Sequence, residues 1–472
     1  MLSQPYQKEF RRAPAVLTAG VLVGGFVFSM AMTLPGELSY DSVIQLLEGR
    51  TAAYSGWHPP VMSWLLGLAD AAWPGAALFV LANAAMMLVS MLSLLRLSPY
   101  TSWAAPVVAL GCILLPQFAI YQGIVWKDVL FANAAIAGFI ALAQAAVRWP
   151  ELLWRVALLA TALVLLIIAA LARQNGPIML VAAAVSFAWI SRDQGAAATR
   201  ALQAGGAALL IALSVFGAAS ALLHMRTLPA RGAAKQLRVL EAYDLVGALT
   251  LDPGLQLPEL RRSDPSLLDA MRSARSYYSP VRSDTLARAQ TLQSALIHAP
   301  DDVLHGPWRG LVLHHTGLYL RERAAVFQWV FLTPDLSRCV PYVVGLRGPA
   351  PALRALGMQE RVDSRDEFAS SYGTRLIGTP VFSHPIYLTL ALLEFAFLLY
   401  RRRIADGVLA CLLAGGMAVT ASFLFVSIAC DYRYLYFLDM AALIGLFYIA
   451  GDPRLTDGAA RTRKTWAVPE VA

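Results

Sequence analysis

The stretch LLWRVALLATALVLLIIAAL, residues 152–171, contains one charged residue, Arg155. A helix of about 20 apolar residues crosses the hydrocarbon core of a bilayer while bonding its own backbone polar groups. The rest of the 472-residue chain is similar in character, since it is 58% hydrophobic and 14% charged, with a mean hydropathy of +0.57. Soluble domains carry about 25% charged residues. The composition therefore excludes a cytosolic enzyme, a disordered chain, a fibrous repeat and a disulfide-stapled secreted module.

Further stretches of the chain meet the same condition, and we predict an all-α polytopic membrane protein with about ten spans. The predicted spans are 14–35, 75–95, 102–121, 129–147, 152–171, 176–191, 202–223, 381–400, 405–428 and 434–450. The stretch 59–73 is also apolar, but it is short and is bracketed by Pro59-Pro60 and Trp73-Pro74. We expect a juxtamembrane helix there, in the first outer loop, because an eleventh span would invert everything that follows.

The positive charges predict the orientation of the chain. Fifteen Lys and Arg residues flank the spans on the side that holds both termini, and four lie in the short loops opposite. By the positive-inside rule both termini are cytoplasmic, in the cytoplasmic membrane of a bacterium to judge by composition. The other nineteen lie beside fifteen acids in a long outer segment, about 224–380. The net charge of +8 is therefore mainly a topology signal, and we expect membrane lipids as neighbours and no nucleic acid.

The long outer segment divides the chain into three predicted parts. Residues 1–223 form an N-terminal transmembrane module with catalytic outer loops, and residues 381–472 form a C-terminal transmembrane module with a cytoplasmic tail. Residues 224–380 form a small helical extracytoplasmic domain, with helical periodicity in 235–249, 264–276 and 304–331. The first span is too long for a signal peptide and lacks a small-residue cleavage site, so we expect a retained anchor.

Polar residues collect in the four short outer loops, whereas the short inner loops carry little but Arg and small polar residues. The clusters are Glu37, Asp41, Gln45 and His58 in 35–60; Trp126, Lys127 and Asp128 in 120–131; Arg173, Gln174 and Asn175 in 172–176; and Asp431, Tyr432, Arg433 and Tyr434 in 430–437. Each has a structural interpretation alone, as a solvated helix face, a turn, a helix cap, a snorkelling arginine or an aromatic belt. Their occurrence together on one side, with both signs of charge, favours a single outward-facing pocket.

Such a pocket has the residue types needed to act on a lipid-linked phosphate. Arg binds phosphate through a planar fork of N–H donors. A nearby carboxylate can serve as general base for a hydroxyl group. The sequence therefore predicts a reaction on an anionic substrate at the membrane surface.

The order of short motifs resembles the polytopic GT-C glycosyltransferases, a group that includes lipid A aminoarabinose transferases, protein mannosyltransferases and many bacterial relatives. The motifs are YDS-x2-Q at 40–45, HPP at 58–60, WKD at 126–128, RQNG at 173–176 and RY at 433–434. The resemblance covers roughly 14–223 and 381–450. The long outer segment matches only in position and helical character.

The resemblance implies a GT-C fold and an enzyme that moves a sugar, with inversion, from a polyprenyl-phosphate donor to a glycan, lipid-linked saccharide or protein on the outer face. Asp41 matches the proposed base of the family, and Asp128 matches the acid of the second loop. His58 stands where some relatives carry a cation before Pro-Pro, so donor phosphate binding is expected of Lys127, Arg173 and Arg433. The residues expected to orient substrate are Glu37, Gln45, His58, Asn175 and Tyr432. A divalent cation, Mg or Mn, on Asp41 and Asp128 stays open, although Ser42 replaces the second acid common in relatives.

Three other functions remain open at this point. A polyprenyl-linked glycan polymerase or ligase would use a diphosphate-linked donor. A transporter or flippase would have internal repeats and intramembrane ionisable residues; the sequence shows no repeat, and Glu394 and Asp439 are equally well read as buried hydrogen-bonded carboxyls. A scaffold or sensor would leave the outer polar clusters without an explanation.

The cysteines add one further question. Cys339 and Cys430 are both predicted on the outer side, where disulfides form, and a bridge would tie the outer domain to the loop that carries Arg433. The sequence alone leaves this pairing open. Cys112 and Cys411 fall within predicted spans and are expected to be buried apolar residues.

Overall fold

The computed structural model describes residues 4–98, 100–225 and 232–452, with side chains from residue 12 onward and, after the second gap, from residue 236. Its regular structure there is helical, and extended backbone occurs only as isolated bridges such as Glu37 with Ile124 and Leu38 with Leu346. The predicted all-α class is confirmed.

The helices follow the three predicted parts of the chain. The first group is α1 Gln4–Thr33, α2 Tyr40–Thr51, α3 Pro60–Ala72, α4 Ala77–Leu94, α5 Ala104–Ile113, α6 Pro116–Ala119, α7 Lys127–Val147, α8 Leu152–Ala172, α9 Ile178–Asp193 and α10 Ala198–His224. The second is α11 Gly232–Leu251, α12 Pro258–Ser263, α13 Pro265–Ser273, α14 Gln290–His298, α15 His305–His314, α16 Thr316–Leu332, α17 Ala350–Leu356 and α18 Ser364–Thr374. The third is α19 His384–Arg401, α20 Asp406–Val426 and α21 Tyr436–Gly451. Short 3-10 turns lie at Tyr121–Gly123, Ala274–Tyr277, Ser283–Arg288, Pro380–Phe382 and Tyr432–Leu435.

Within the described residues, seven helices are long and apolar enough to cross a membrane, which makes this a multi-pass membrane protein. A bent pair, α5 with Pro116–Gly123, adds an eighth candidate at an angle of 70°. The break lies where the sequence predicts one straight span, 102–121. Pro116 explains it, because proline has no N–H to donate and disfavours helical backbone at the residue before it.

Two other predicted spans, 176–191 and 381–400, are helices that fall outside this group. Helix α9 has 16 residues, and α19 contains both Glu394 and Arg401. Helix α3 has 13 residues, which at 1.5 Å per residue is too short to cross a bilayer. The stretch 59–73 therefore forms the non-spanning helix that was predicted.

Helix α7 forms the centre of the membrane part, with its apolar window fully buried. It packs against α4, α8, α9, α20 and α21. Its first residues, Lys127 and Asp128, therefore lie where several elements of the chain meet.

The outer segment contains two kinds of helix. Those between Ala242 and Val326 enclose a hydrophobic core of their own. Helices α17 and α18 instead pack on the large core of the membrane part, through Leu353 and Ala369 among others. The periodic stretch 304–331, expected as continuous, is two helices, because the backbone leaves helical geometry at His315.

Arg323 anchors the outer segment to the membrane part. Its guanidinium is fully buried and donates to Asp244 at 2.8 Å, to the Leu424 carbonyl at 2.9 Å and to the Ser427 carbonyl at 2.6 Å. Glu322, also fully buried, accepts from the Tyr278 hydroxyl at 2.8 Å. Burial and the neighbouring Asp244 raise the pKa of Glu322 to about 8, so the anchor holds one negative and one positive charge at neutral pH.

The two intramembrane acids have different surroundings. Asp439 lies 2.8 Å from the His384 ring nitrogen and accepts from the Tyr432 hydroxyl at 2.6 Å, which makes it part of a buried polar network. Glu394 is buried, and neither of its oxygens has a hydrogen-bond partner among the described residues.

Candidate functional site

The first outer loop is held beside the start of α7 by backbone bonds. The Glu37 N–H donates to the Gly123 carbonyl at 2.9 Å, and the Val125 N–H donates to the Glu37 carbonyl at 3.0 Å. The Ser42 hydroxyl then donates to the Val125 carbonyl at 2.6 Å. Because Asp41 precedes Ser42 in the first turn of α2, these bonds bring its carboxylate to the end of α7.

Asp41 is the most accessible acid of the cluster, with 35% of its side chain exposed. The Arg433 guanidinium donates to it at 3.1 Å, and a His58 ring nitrogen lies 3.8 Å away. Burial opposes ionisation of Asp41, but the charge of Arg433 outweighs it together with smaller contributions and holds the pKa below 3.8. Asp41 is therefore a carboxylate at neutral pH.

Asp128 lies deeper, with 1% of its side chain exposed. It forms an ion pair with Arg173, and its other oxygen lies 3.9 Å from Arg433. Arg173 is itself buried between rings, 4.9 Å from the centre of Phe423 and 5.5 Å from that of Tyr434. The pair is thus shielded from water, where charge interactions are stronger.

Lys127 is the cation of this cluster that no carboxylate approaches within 4.0 Å in the described part of the chain, nor does it form a hydrogen bond there. Its side chain is half-buried. Asp128 is taken by Arg173, and Asp41 by Arg433. Since an unpaired ammonium is costly to bury, this position is suited to an anion from outside the protein.

A clasp of three chain segments fixes Arg433. Cys430 is bonded to Cys339 with a Cα–Cα distance of 4.9 Å, so the pairing that the sequence left open is present. The Tyr432 N–H donates to the Cys339 carbonyl at 3.1 Å. Arg282 bridges the segments, donating to the Arg338 carbonyl at 2.6 Å and to Asp431 at 3.2 Å. Asp431 in turn lies 3.3 Å from Arg433.

Three residues expected to orient substrate lie close to this cluster or beside it. His58 is buried, and burial together with the Lys127 charge lowers its pKa to about 4, so it is neutral at pH 7 and forms no ion pair with Asp41. Gln45, one turn after Asp41, is buried with an unpartnered side-chain N–H2. Asn175 is half-buried and donates to the Ser422 hydroxyl at 2.8 Å. Their role in orienting substrate stays a prediction.

Two other residues expected to orient substrate have partners inside the protein. Glu37 is fully buried and accepts from the Gly345 N–H. Burial and the nearby carboxylate of Asp366 raise the pKa of Glu37 to about 8. Tyr432 is fully buried and directs its hydroxyl to Asp439. The site proposed below therefore does not include Glu37 or Tyr432.

The structure adds residues that the sequence prediction left out. Trp126 lies under the Arg433 guanidinium at 4.7 Å and donates to the Ser39 hydroxyl at 3.1 Å. Trp126 and Asp431 stood inside the polar loops, and adjacency to Lys127 and Arg433 was the signal that could have found them. Arg282 lies in the long outer segment, 149 residues before Asp431, and no local pattern marks it.

The carboxylates do not fit a divalent cation as the structure arranges them. Arg433 lies between Asp41 and Asp128, and Arg173 takes an oxygen of Asp128. Among the described residues no group of three or more His, Cys, Asp or Glu side chains is placed to hold a metal ion. No reaction step is therefore derived through a metal.

No model of a protein family and no curated protein matches the chain. Among solved structures, it is similar to the oligosaccharyltransferase AglB from Archaeoglobus fulgidus, determined with an inhibitory peptide and a dolichol-phosphate. The TM-score is 0.40 and the identity 13%, over 92% of this chain and 50% of that one. For the same enzyme in complex with Zn and sulfate, the TM-score is 0.39 and the identity 14%, over 91% and 49%.

The chain thus spans about half the length of these structures. Oligosaccharyltransferases are of the GT-C class that the sequence resembles. At a TM-score of 0.40 the similarity carries no argument about the reaction or ligands of this chain. The function proposed below rests on the geometry of its own site.

Proposed function

We propose that this protein is a membrane glycosyltransferase that moves a sugar from a polyprenyl-phosphate donor to an acceptor hydroxyl at the outer face of the membrane. The observation that carries the proposal is the cluster at the start of α7. A half-buried Lys127 without a carboxylate lies beside two arginines and an accessible carboxylate, Asp41.

The donor phosphate would occupy the space at Lys127. Electrostatic coupling of Lys127 with Arg173 and Arg433 indicates that the three cations act on the same space. Arg433 supplies the planar fork that suits phosphate oxygens, and Lys127 supplies a point charge. These cations would stabilise the negative charge that grows on the phosphate as the bond to the sugar breaks.

Asp41 would act as the general base. It takes the proton of the acceptor hydroxyl, the hydroxyl oxygen forms a bond to the anomeric carbon, and the bond between that carbon and the phosphate oxygen breaks. Polyprenyl phosphate leaves with the electron pair, and attack from the opposite side inverts the configuration. Of the two acids, Asp41 suits this role, because Asp128 is almost fully enclosed.

Donor binding and base strength are coupled in this arrangement. In the absence of donor, Arg433 holds the pKa of Asp41 low, which makes the carboxylate a weak base. A phosphate that draws the guanidinium away would release Asp41 from this pairing. Asp41 would then become more basic only when a donor is in place.

The orientation of the site follows from the same proposal. A polar cluster at the ends of α7 and α8 belongs on one side of the membrane, and the distribution of Lys and Arg assigns that side to the outside. A diphosphate-linked donor, as used by a polymerase or ligase, is the alternative that the experiment must distinguish.

The test is transfer from a polyprenyl-monophosphate sugar by the purified full-length chain and its Asp41→Asn variant. We expect turnover to fall about 10²- to 10⁴-fold, the usual contribution of a general base. Asp269→Asn is the matched control, because that acid lies in the outer segment with 79% of its side chain exposed. Near wild-type turnover in a folded Asp41→Asn variant, or transfer only from a diphosphate-linked donor, would overturn the proposal.

A further inference from the structure

A large open cleft of about 1410 Å³ lies on the other side of the segment that carries Cys339. One wall comes from the end of α16 and the following loop, residues 332–341. The other comes from residues 377–386, which include the first turn of α19.

The cleft and the reaction cluster share one wall. Val340 and Pro341 line the cleft, and they follow directly on Cys339. The Tyr121 hydroxyl donates to the Pro341 carbonyl, and the Tyr121 ring lies 5.7 Å from that of Trp126, on which Arg433 rests. A molecule in the cleft would thus lie one chain segment away from the residues that hold Arg433.

The polar lining of the cleft consists mainly of hydroxyl groups. Thr333 has 6% of its surface exposed, and its hydroxyl has no hydrogen-bond partner. Ser383 is half-buried, and no hydrogen bond of its hydroxyl is found within the described chain. Asp335 is the charged residue among those that line the cleft, where Lys and Arg do not occur. This differs from the cluster at Lys127 and suits a neutral, hydroxyl-bearing ligand better than a phosphate.

The rim of the cleft is apolar and exposed. Leu332 and Ile386 are 50% and 46% exposed, and Ile377 and Val340 are 42% and 36% exposed. Ile386 lies in the first turn of α19, which the sequence predicts to be a span, so this rim lies at the membrane surface. Apolar side chains at that level are suited to the hydrocarbon part of a lipid.

From these features we propose that the cleft binds the acceptor, and that the acceptor is a neutral glycolipid. The inference rests on the proposed function and adds a substrate class to it. The sugar would meet Thr333 and Ser383, while the lipid chain would lie against Leu332 and Ile386. An acceptor hydroxyl would then enter the reaction cluster past the segment at Cys339.

The test uses the full-length chain in phosphatidylcholine nanodiscs, labelled by a photoreactive alkyl glucoside. A photoreactive alkyl phosphate of the same chain length is the second probe. We expect the glucoside to label 332–341 and 377–386. Thr333→Val and Ile386→Ser should each weaken that labelling about threefold to tenfold, the effect of one hydrogen bond or a modest apolar contact. Thr333→Ser, which keeps the hydroxyl, should label like the wild type.

Three outcomes would overturn the assignment: labelling unchanged in both weakening variants, labelling of the cleft by the alkyl phosphate, or better competition by free glucose or a serine-rich peptide than by an unlabelled alkyl glucoside. The proposed donor site is read separately, since the alkyl phosphate should label the region of Lys127 and lose that labelling in Lys127→Met. Loss of donor labelling with intact glucoside labelling would contradict the proposed function and leave the cleft standing.

Discussion

Two clusters of buried arginine and carboxylate differ in how well their groups are satisfied. In the anchor of the outer segment, Arg323 meets Asp244 and two backbone carbonyls, and both side chains are fully buried. In the cluster at the start of α7, the Arg173 and Arg433 Nε atoms have no hydrogen-bond partner, and Lys127 has no carboxylate. The first arrangement is complete by itself and holds the structure together. The second is suited to a ligand that completes it.

Replacing the arginine of each cluster should separate these two roles most clearly. Arg433→Met should lower transfer about 10²- to 10³-fold, the effect of removing one preorganised donor to developing charge. Arg323→Met leaves Asp244 buried without a counter-charge, which should lower the free energy of unfolding by about 3–5 kcal/mol. Transfer assays and thermal unfolding in detergent micelles measure the two effects. The comparison fails if Arg433→Met unfolds the protein as readily as Arg323→Met.

A smaller effect is expected when the clasp around Arg433 is opened. Cys339→Ser removes the link to Cys430, and Arg282→Met removes the bridge to Asp431. Either change should lower transfer about tenfold by misplacing Arg433, while donor binding through Lys127 changes little. The measurement is kcat and donor KM for both variants, with Arg272→Met as an outer-segment control. A raised donor KM with normal kcat would contradict a positioning role.

The smallest effect concerns pH and residues outside both clusters. The unfolded chain releases the Glu37 proton near pH 4.5, whereas the folded protein keeps it to about pH 8. The folded state binds more protons between these values, so the contribution of Glu37 to stability is complete below pH 4.5 and is lost up to pH 8. Glu37→Gln should flatten the decline of Tm between pH 5 and 8. An unchanged slope would show that Glu37 keeps no proton in the folded state.

Local pattern was enough to predict the helices and the composition of the site. Apolar runs predicted the helices, and the sidedness of polar loops predicted that Asp41, Asp128, Arg173 and Arg433 meet, which the ion pairs between them agree with. The break before Pro116 could have been predicted, since proline carries its own signal.

Contacts between distant segments could not be predicted in the same way. Glu37 has the residue type of a site acid, but its partner is the backbone of Gly345, 308 residues later. Tyr432 adjoins Arg433 in sequence, yet its ring and hydroxyl enter the buried network at Asp439. Which side of a short turn faces the core depends on packing against chain that local sequence does not describe.

The central claim is that Lys127 binds the phosphate of a polyprenyl donor, and direct binding tests it most simply. Binding of polyprenyl monophosphate to the wild-type chain in detergent micelles is compared with Lys127→Met and with Arg155→Met. Arg155 is the matched control, because it lies at the opposite end of α8 from the cluster and donates to the Trp149 carbonyl. We predict that Arg155→Met binds like the wild type and that Lys127→Met binds about tenfold or more weakly, the loss of one charge-assisted contact. Equal binding by all three proteins would contradict the account.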